Sequence, residues 1–347
     1  MFLNSLNHFR AIAIVIIVAG HCFYTVNASF NTLPERALGN LVTGGTSLFV
    51  FISGFLFHYI FYNRYKFKKF MLGKVKKVLM PYTILSLYPI FSLVAQKDSA
   101  YDFYDPVGTG FVNVYLIPAL KYYFTGGFMT AYWYIPFAMM LFLLSPLHMA
   151  FIELRLKKQV FITFLLFVIA LFLHRPIDDI LVLQSVVYFM PVYLFGIICS
   201  EKREFIYDKL EHKEIYLLLF AIALATLQAA FGQFNNSQKM PFDYAGIDIM
   251  LIQKVALCLF FMVWLHRFEH IDSKYINILA STSFAVFFLH GFFMAFTNDL
   301  LAIFGITITS PWVWYPFVTT GMVLACVVLA LAVKKLLPDY SRYIIGY

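Results

Sequence analysis

The sequence predicts an all-α polytopic membrane protein of about ten transmembrane helices. Three observations carry this: 62% of the 347 residues are hydrophobic, only 13% are charged, and mean hydropathy is +0.79. That length would suit two water-soluble domains, but such domains carry roughly 25% charged residues. The missing charge corresponds to surface that faces hydrocarbon. The 41 Phe and 23 Tyr fit the same solvent.

Crossing about 30 Å of hydrocarbon takes about 20 helical residues. Ten apolar stretches approach that length, at residues 9–26, 47–62, 78–95, 132–152, 160–173, 181–200, 214–232, 249–265, 278–296 and 312–333. The first contains a short apolar run that follows His8 and Arg10 and ends in small residues before Cys22. It is expected to be retained as a span, because a lipoprotein cleavage site needs a small residue where this chain has His21. The second carries Ser53 and Gly54, small enough for close helix approach. The third follows a dense basic run and opens at Pro81, and the fourth opens on the aromatic cluster Tyr132-Trp133-Tyr134. That cluster fits an interfacial belt. The fifth to eighth are bounded by charged or polar connectors, the ninth ends near His290, and the tenth stops before Lys334 and Lys335. The whole chain, 1–347, is expected to form a single transmembrane domain with no appended soluble domain.

Lys and Arg accumulate in cytoplasmic loops, so the connectors set the orientation. The second connector carries Arg64, Lys66, Lys68, Lys69, Lys74, Lys76 and Lys77, and alternate later connectors carry Arg155, Lys157 and Lys158, then Lys202, Arg203, Lys209 and Lys213, then Arg267 and Lys274. Opposite connectors hold Arg36, Lys97, Lys121, Arg175 and Lys239. Both termini are therefore expected in the cytoplasm. The net charge of +8 is absorbed by topology and by contact with anionic membrane lipids, so no nucleic-acid partner is implied. Two outer connectors stand out. Residues 96–131 include a partly amphipathic stretch, 111–124, expected along the interface, and the polar segment 233–246 is a candidate lid.

An ionisable group inside a span costs several kcal/mol unless it faces a polar interior. Arg10 and His21 are eleven residues apart, which at about 100° per residue places them on one helix face about 16 Å apart in height. Arg10 fits a snorkelling anchor or a donor-binding cation, and His21 fits a satisfied core histidine or a general base. Lys74 and Lys77, three apart, share a face that could hold phosphates or simply enforce topology. Lys254, with Asp248 and Gln253, and the cluster His174, Arg175, Asp178 and Asp179 lie at outer helix ends, as loop anchors or acceptor-binding groups. His266 and His270 read as surface residues. The four cysteines lie in apolar runs without metal-ligand spacing, so no metal site is expected.

The run Leu6-Asn7-His8-Phe9-Arg10-Ala11-Ile12-Ala13 through His21 resembles the opening of the acyltransferase 3 family of bacterial membrane acyltransferases, which has an Arg and a His separated by ten residues. The segment 48–56, with Ser53-Gly54-Phe55, is similar to that family's second span. Lys74 and Lys77 before Pro81-Tyr82 resemble its basic pair, with lysines where arginines are usual. Residues 283–290, from Ser283 to His290, resemble its ninth-span motif, with Phe287 where Tyr is common, and Trp133 falls near an aromatic position of its fourth span. Asn7-His8 replaces the family's Asp-Gly, so a carboxylate partner for Arg10 is expected to be missing.

The resemblance implies a bacterial cytoplasmic-membrane O-acetyltransferase with His21 and Arg10 catalytic. Acetyl-CoA or another acyl-CoA would be the donor, held by Arg10, Lys74 and Lys77, with no tightly bound cofactor. A lipid-linked or surface glycan would be the acceptor, with Ser53, His290, Trp133 and Lys254 as supporting residues. A transporter or exporter of a glycan or small solute is the alternative.

Overall fold

The fold was examined in a computed structural model, which describes residues 3–96 and 101–347. Lys97, counted above among the outer charges, lies outside the described residues. The helices are α1 (Asn4–Thr25), α2 (Leu33–Val42), α3 (Thr46–Leu56), α4 (Phe67–Lys74), α5 (Met80–Gln96), α6 (Ile117–Thr125), α7 (Tyr134–Leu143), α8 (Ser145–Ile152), α9 (Leu156–Leu173), α10 (Val182–Glu201), α11 (Arg203–Leu210), α12 (Glu214–Ala230), α13 (Ile249–His266), α14 (Lys274–Ile303), α15 (Pro311–Leu336) and α16 (Ser341–Ile344). Among the described residues, extended pairing is limited to an isolated bridge between Arg175 and Gln238.

Among the described residues, eight helices are long and apolar enough to cross a membrane, or up to ten if each of two bent pairs is one span. The bent pairs are α7 with α8, at 55°, and α11 with α12, at 87°. Each of the ten stretches read from the sequence thus has a helical counterpart.

α1 packs against α3, α13, α14 and α15, so the helix carrying Arg10 and His21 lies among others. α10 is also central, with 72% of its apolar window buried, whereas α9 buries only 17% and presents Phe161 and Phe164 outward to lipid. The start of α1 is capped from a distance. Leu3 offers no side-chain cap, and the Glu269 carboxylate accepts from the Asn4 and Ser5 amides at 2.6 and 3.0 Å.

α3 and α10 meet backbone to backbone. A Cβ on Gly54 would lie 2.0 Å from the Tyr193 carbonyl oxygen, and one on Gly196 would lie 2.3 Å from that of Phe51. The packing role read for Gly54 is realised here, while Ser53 faces a cavity instead.

α2 was not anticipated by the span reading, because ten residues cannot cross hydrocarbon. Its local signal is present in Thr32 and Glu35, which form a capping box, and in Pro34 in the first turn. At its other end Lys254 donates to the carbonyls of Asn40 and Leu41 at 2.9 and 2.7 Å. The chain then breaks at Gly44, φ +79°, before entering α3.

π-helical turns interrupt the spans at Phe57–Phe61 and Val75–Leu79, and a third lies at Val112–Leu116. Insertions of this kind widen a helix locally and re-aim side chains. The first two border the cavity described next.

Candidate active site

α1, α3, α7 and α14, with the segment from Arg64 to Val78, enclose a cavity of about 650 Å³. Its lining includes Arg10, Arg64, Lys66, Lys69, Lys74, Lys77 and Arg342, with no Asp or Glu among the described residues. The remaining wall is largely apolar and aromatic, including Ile52, Leu56, Phe61, Phe70 and Phe284. Arg10 donates from Nη2 to Ser283 Oγ at 3.1 Å, and Ser283 in turn donates to the Ala280 carbonyl at 2.7 Å. No ion pair to Arg10 is found among the described residues, and Asn7 is bonded to Asn277.

Lys74 and Lys77 both line this cavity, on either side of the start of the π turn. They differ in commitment. Lys74 Nζ lies over the rings of Phe142, Phe70 and Phe61, at 4.0, 5.1 and 5.5 Å from their centroids, an aromatic cage that fixes the ammonium. Lys77 is exposed.

A second cavity, of about 200 Å³, is lined by His21, Thr43, Gly44, Gly45, Thr46, Trp133, Arg175, Asp179, Asn235, Asn236 and Gln238 among others. It is polar where the first is basic. Phe49 and Tyr134 line the first cavity, whereas Thr46 and Trp133, one helical turn and one residue away, line the second. We read the aromatic residues at this junction as a septum between the two, and Tyr134 packs there on Phe287 with ring centroids 5.4 Å apart.

His21 stands beside His290, ring centroids 5.4 Å apart and planes inclined 31°. The order of the His290 protons follows from its partner. A carbonyl can only accept, so Nδ1, 3.1 Å from the Val286 oxygen, carries the hydrogen. In the neutral ring Nε2 is then a bare acceptor, buried and without a partner.

Two loops close this end. The Arg175 amide donates to the Ser237 carbonyl at 3.3 Å and the Lys239 amide to the Arg175 carbonyl at 3.0 Å, so segment 233–246 is zipped onto the loop after α9. His174 bonds Ser237 Oγ and the Gly246 carbonyl at 2.6 and 3.0 Å. Arg175 stacks on Trp133, 4.7 Å from the ring centroid, and pairs with Asp179 at 3.0 Å. Burial raises the Asp179 carboxyl above the ordinary carboxylate range, and Arg175 opposes that shift. Left-handed non-glycine backbone clusters here, at Ala131, His174, Asp178, Asp179 and Asn235, with φ between 52° and 70°. Such strain persists only where the surroundings impose it.

The residues read from sequence thus divide. Arg10, Ser53, Lys74 and Lys77 share the basic cavity, and His21 and Trp133 share the polar one, with His290 against His21. Lys254 lines neither, its ammonium being committed to the carbonyls at the end of α2. Tyr132, Trp133 and Tyr134 are buried at 0, 8 and 8% exposure, which corrects their reading as an interfacial belt. His266 is half-buried, stacked flat on Tyr207 with ring centroids 3.6 Å apart, while His270 is exposed. Arg342 and Gly346 also line the basic cavity, a placement the tertiary fold makes, because nothing in local spacing brings residue 342 to residue 10.

Fold and site define a multi-pass membrane protein with a basic cavity and a polar cavity, both touched by α1 and by α3. Residues 3–331 match the acyltransferase 3 family, described as an acyltransferase domain, and the chain belongs to that family. It is a membrane acyltransferase. No curated protein and no solved structure matches it. Of the two bends, one falls near residue 144, inside the stretch 132–152, where Ser145 bonds Tyr65 at 2.8 Å, and the other at residues 211–213, in a basic connector.

Proposed function

We propose that the chain transfers an acyl group, most simply acetyl, from acyl-CoA to a hydroxyl of a lipid-linked or surface glycan in the bacterial cytoplasmic membrane, with His21 as general base. The observation that carries this reading is the placement of His21, backed by His290, on the wall of a polar cavity one septum away from an acid-free basic cavity. Both termini and the basic cavity face the cytoplasm in this account, which follows from the loop charges and from Arg342 lining the same cavity as Arg10.

The donor's phosphates meet Arg10 and Lys77, with the caged charge of Lys74 nearby, and the pantetheine arm lies along the aromatic wall toward Ser53 and Tyr134. The acceptor occupies the polar cavity between the loops bearing Arg175 and Asn236. Its hydroxyl oxygen attacks the thioester carbonyl, a C–O bond forms and the C–S bond breaks. The hydroxyl proton passes to His21 and then to the departing thiolate, so CoA leaves as the thiol. His290 Nε2, the unpartnered acceptor beside His21, is the group we assign to take the N–H of the His21 ring as the reacting complex forms, which leaves the other nitrogen free for this proton. A two-step route through a transiently acylated residue would use the same cavities.

Purified protein supplied with labelled acetyl-CoA and a membrane glycan extract tests the reading. Label should enter the glycan with the wild type and not with His21→Ala. Equal labelling by both, or none by either, would overturn it.

A further inference from the structure

The chain beyond α15 turns back into the basic cavity. α15 ends at Leu336, and the segment 337–347 then forms the short α16 and packs against α5 and the π turn carrying Lys77. It is anchored on both flanks of Arg342. Ser341 is fully buried and donates from Oγ to the Tyr347 carbonyl at 2.5 Å, and Ile345 is 4% exposed. Gly346 adopts φ +82°, where a Cβ would also meet Phe284 at 2.8 Å and Phe288 at 3.3 Å, so only glycine lets the chain lie on those rings. The family match ends at residue 331, so this packed tail lies beyond the matched region.

The anchored segment brings the Arg342 guanidinium to the cavity of Arg10 and Lys77, close enough for its charge to act on both. Among the described residues none of the three makes an ion pair and no carboxylate lines the cavity; Asp272 shares only an adjoining cavity with Arg10. Three converging cations repel one another unless an anion lies among them. The choice of arginine matters. Lys74 and Lys77 are point charges where a planar fork would hold a phosphate by two bonds, and the Lys74 charge is already caged by aromatic rings. Arg342 is exposed and supplies the fork that the basic pair lacks.

We propose that Arg342, presented by the folded-back tail, is a phosphate-binding residue of the donor site. The proposal rests on the acyl-CoA reading above and adds a residue that acts on the nucleotide end of the donor, away from the reacting carbonyl. Arg342→Gln should raise KM for acetyl-CoA about tenfold, the usual scale for one charge-assisted contact, with kcat little changed, and Arg342→Lys should recover part of the loss. With S-acetylpantetheine, which carries no phosphate, wild type and Arg342→Gln should be alike.

An unchanged KM for acetyl-CoA in Arg342→Gln would overturn the proposal and leave the donor reading intact. An equal loss with S-acetylpantetheine would overturn it too, since that marks a packing defect. Failure of the wild type to bind CoA by titration calorimetry is a separate result, which removes the donor reading and this inference with it.

Discussion

His21 is useful as a base only if its ring is held in one tautomer, and the neighbouring His290 is the group placed to do that. Its Nδ1–H is spent on the Val286 carbonyl, so its Nε2 can only accept. His290→Ala should therefore lower kcat by roughly 10²-fold, within the usual range for general acid–base contributions. Acceptor and donor KM should change little, and His290→Gln should keep part of the rate, because an amide oxygen can take the same hydrogen. Steady-state kinetics on the three proteins checks this, and a wild-type rate in His290→Ala would remove His290 from the account. Among individual residues, those on α1 were the most legible in the sequence, because eleven residues is close to whole turns and helical geometry extends unaided over that distance. The His21–His290 contact was legible only as a comparison of depth, and Arg342 beside Arg10 not at all. Such juxtapositions depend on how distant helices pack.

At the level of elements, α3 and α10 meet backbone to backbone, and glycine makes this possible on both sides. Gly54→Ala places a methyl where the Tyr193 carbonyl oxygen now lies, and overpacking of this kind costs about 1–3 kcal/mol or more. The substitution should lower the melting temperature in detergent and reduce activity together, since Ser53 and Phe57 on the same stretch line the donor cavity. Gly321→Ala on α15 meets nothing within 4 Å and should leave the melting temperature unchanged or slightly higher. Equal melting temperatures for Gly54→Ala and wild type would contradict the packing argument. The apolar stretches were readable because lipid imposes a minimum length on a span. The short α2 and the π turns escaped, since a ten-residue helix and a one-residue insertion leave no mark on a hydropathy window. The Thr32–Glu35 capping box was the signal that would have found α2.

At the scale of the whole molecule, the account needs the basic cavity to open to the cytoplasm and the polar cavity to lie toward the other face. The four native cysteines are buried, so introduced thiols can report the topology. A membrane-impermeant maleimide added to intact cells should label Phe242→Cys, whose side chain is fully exposed in the outer lid, and should reach Lys158→Cys only after lysis. The opposite pattern would invert the molecule and place the CoA phosphates on the wrong side. The central claim is that one donor spans the distance from the cations to His21, and a cryo-EM map of the protein with bound CoA tests it most directly. The account predicts nucleotide density between Arg10, Lys77 and Arg342, with the pantetheine arm passing Ser53 and its sulfur ending at the septum beside His21. CoA lying outside the basic cavity, or bound there with its sulfur directed away from His21, would contradict it.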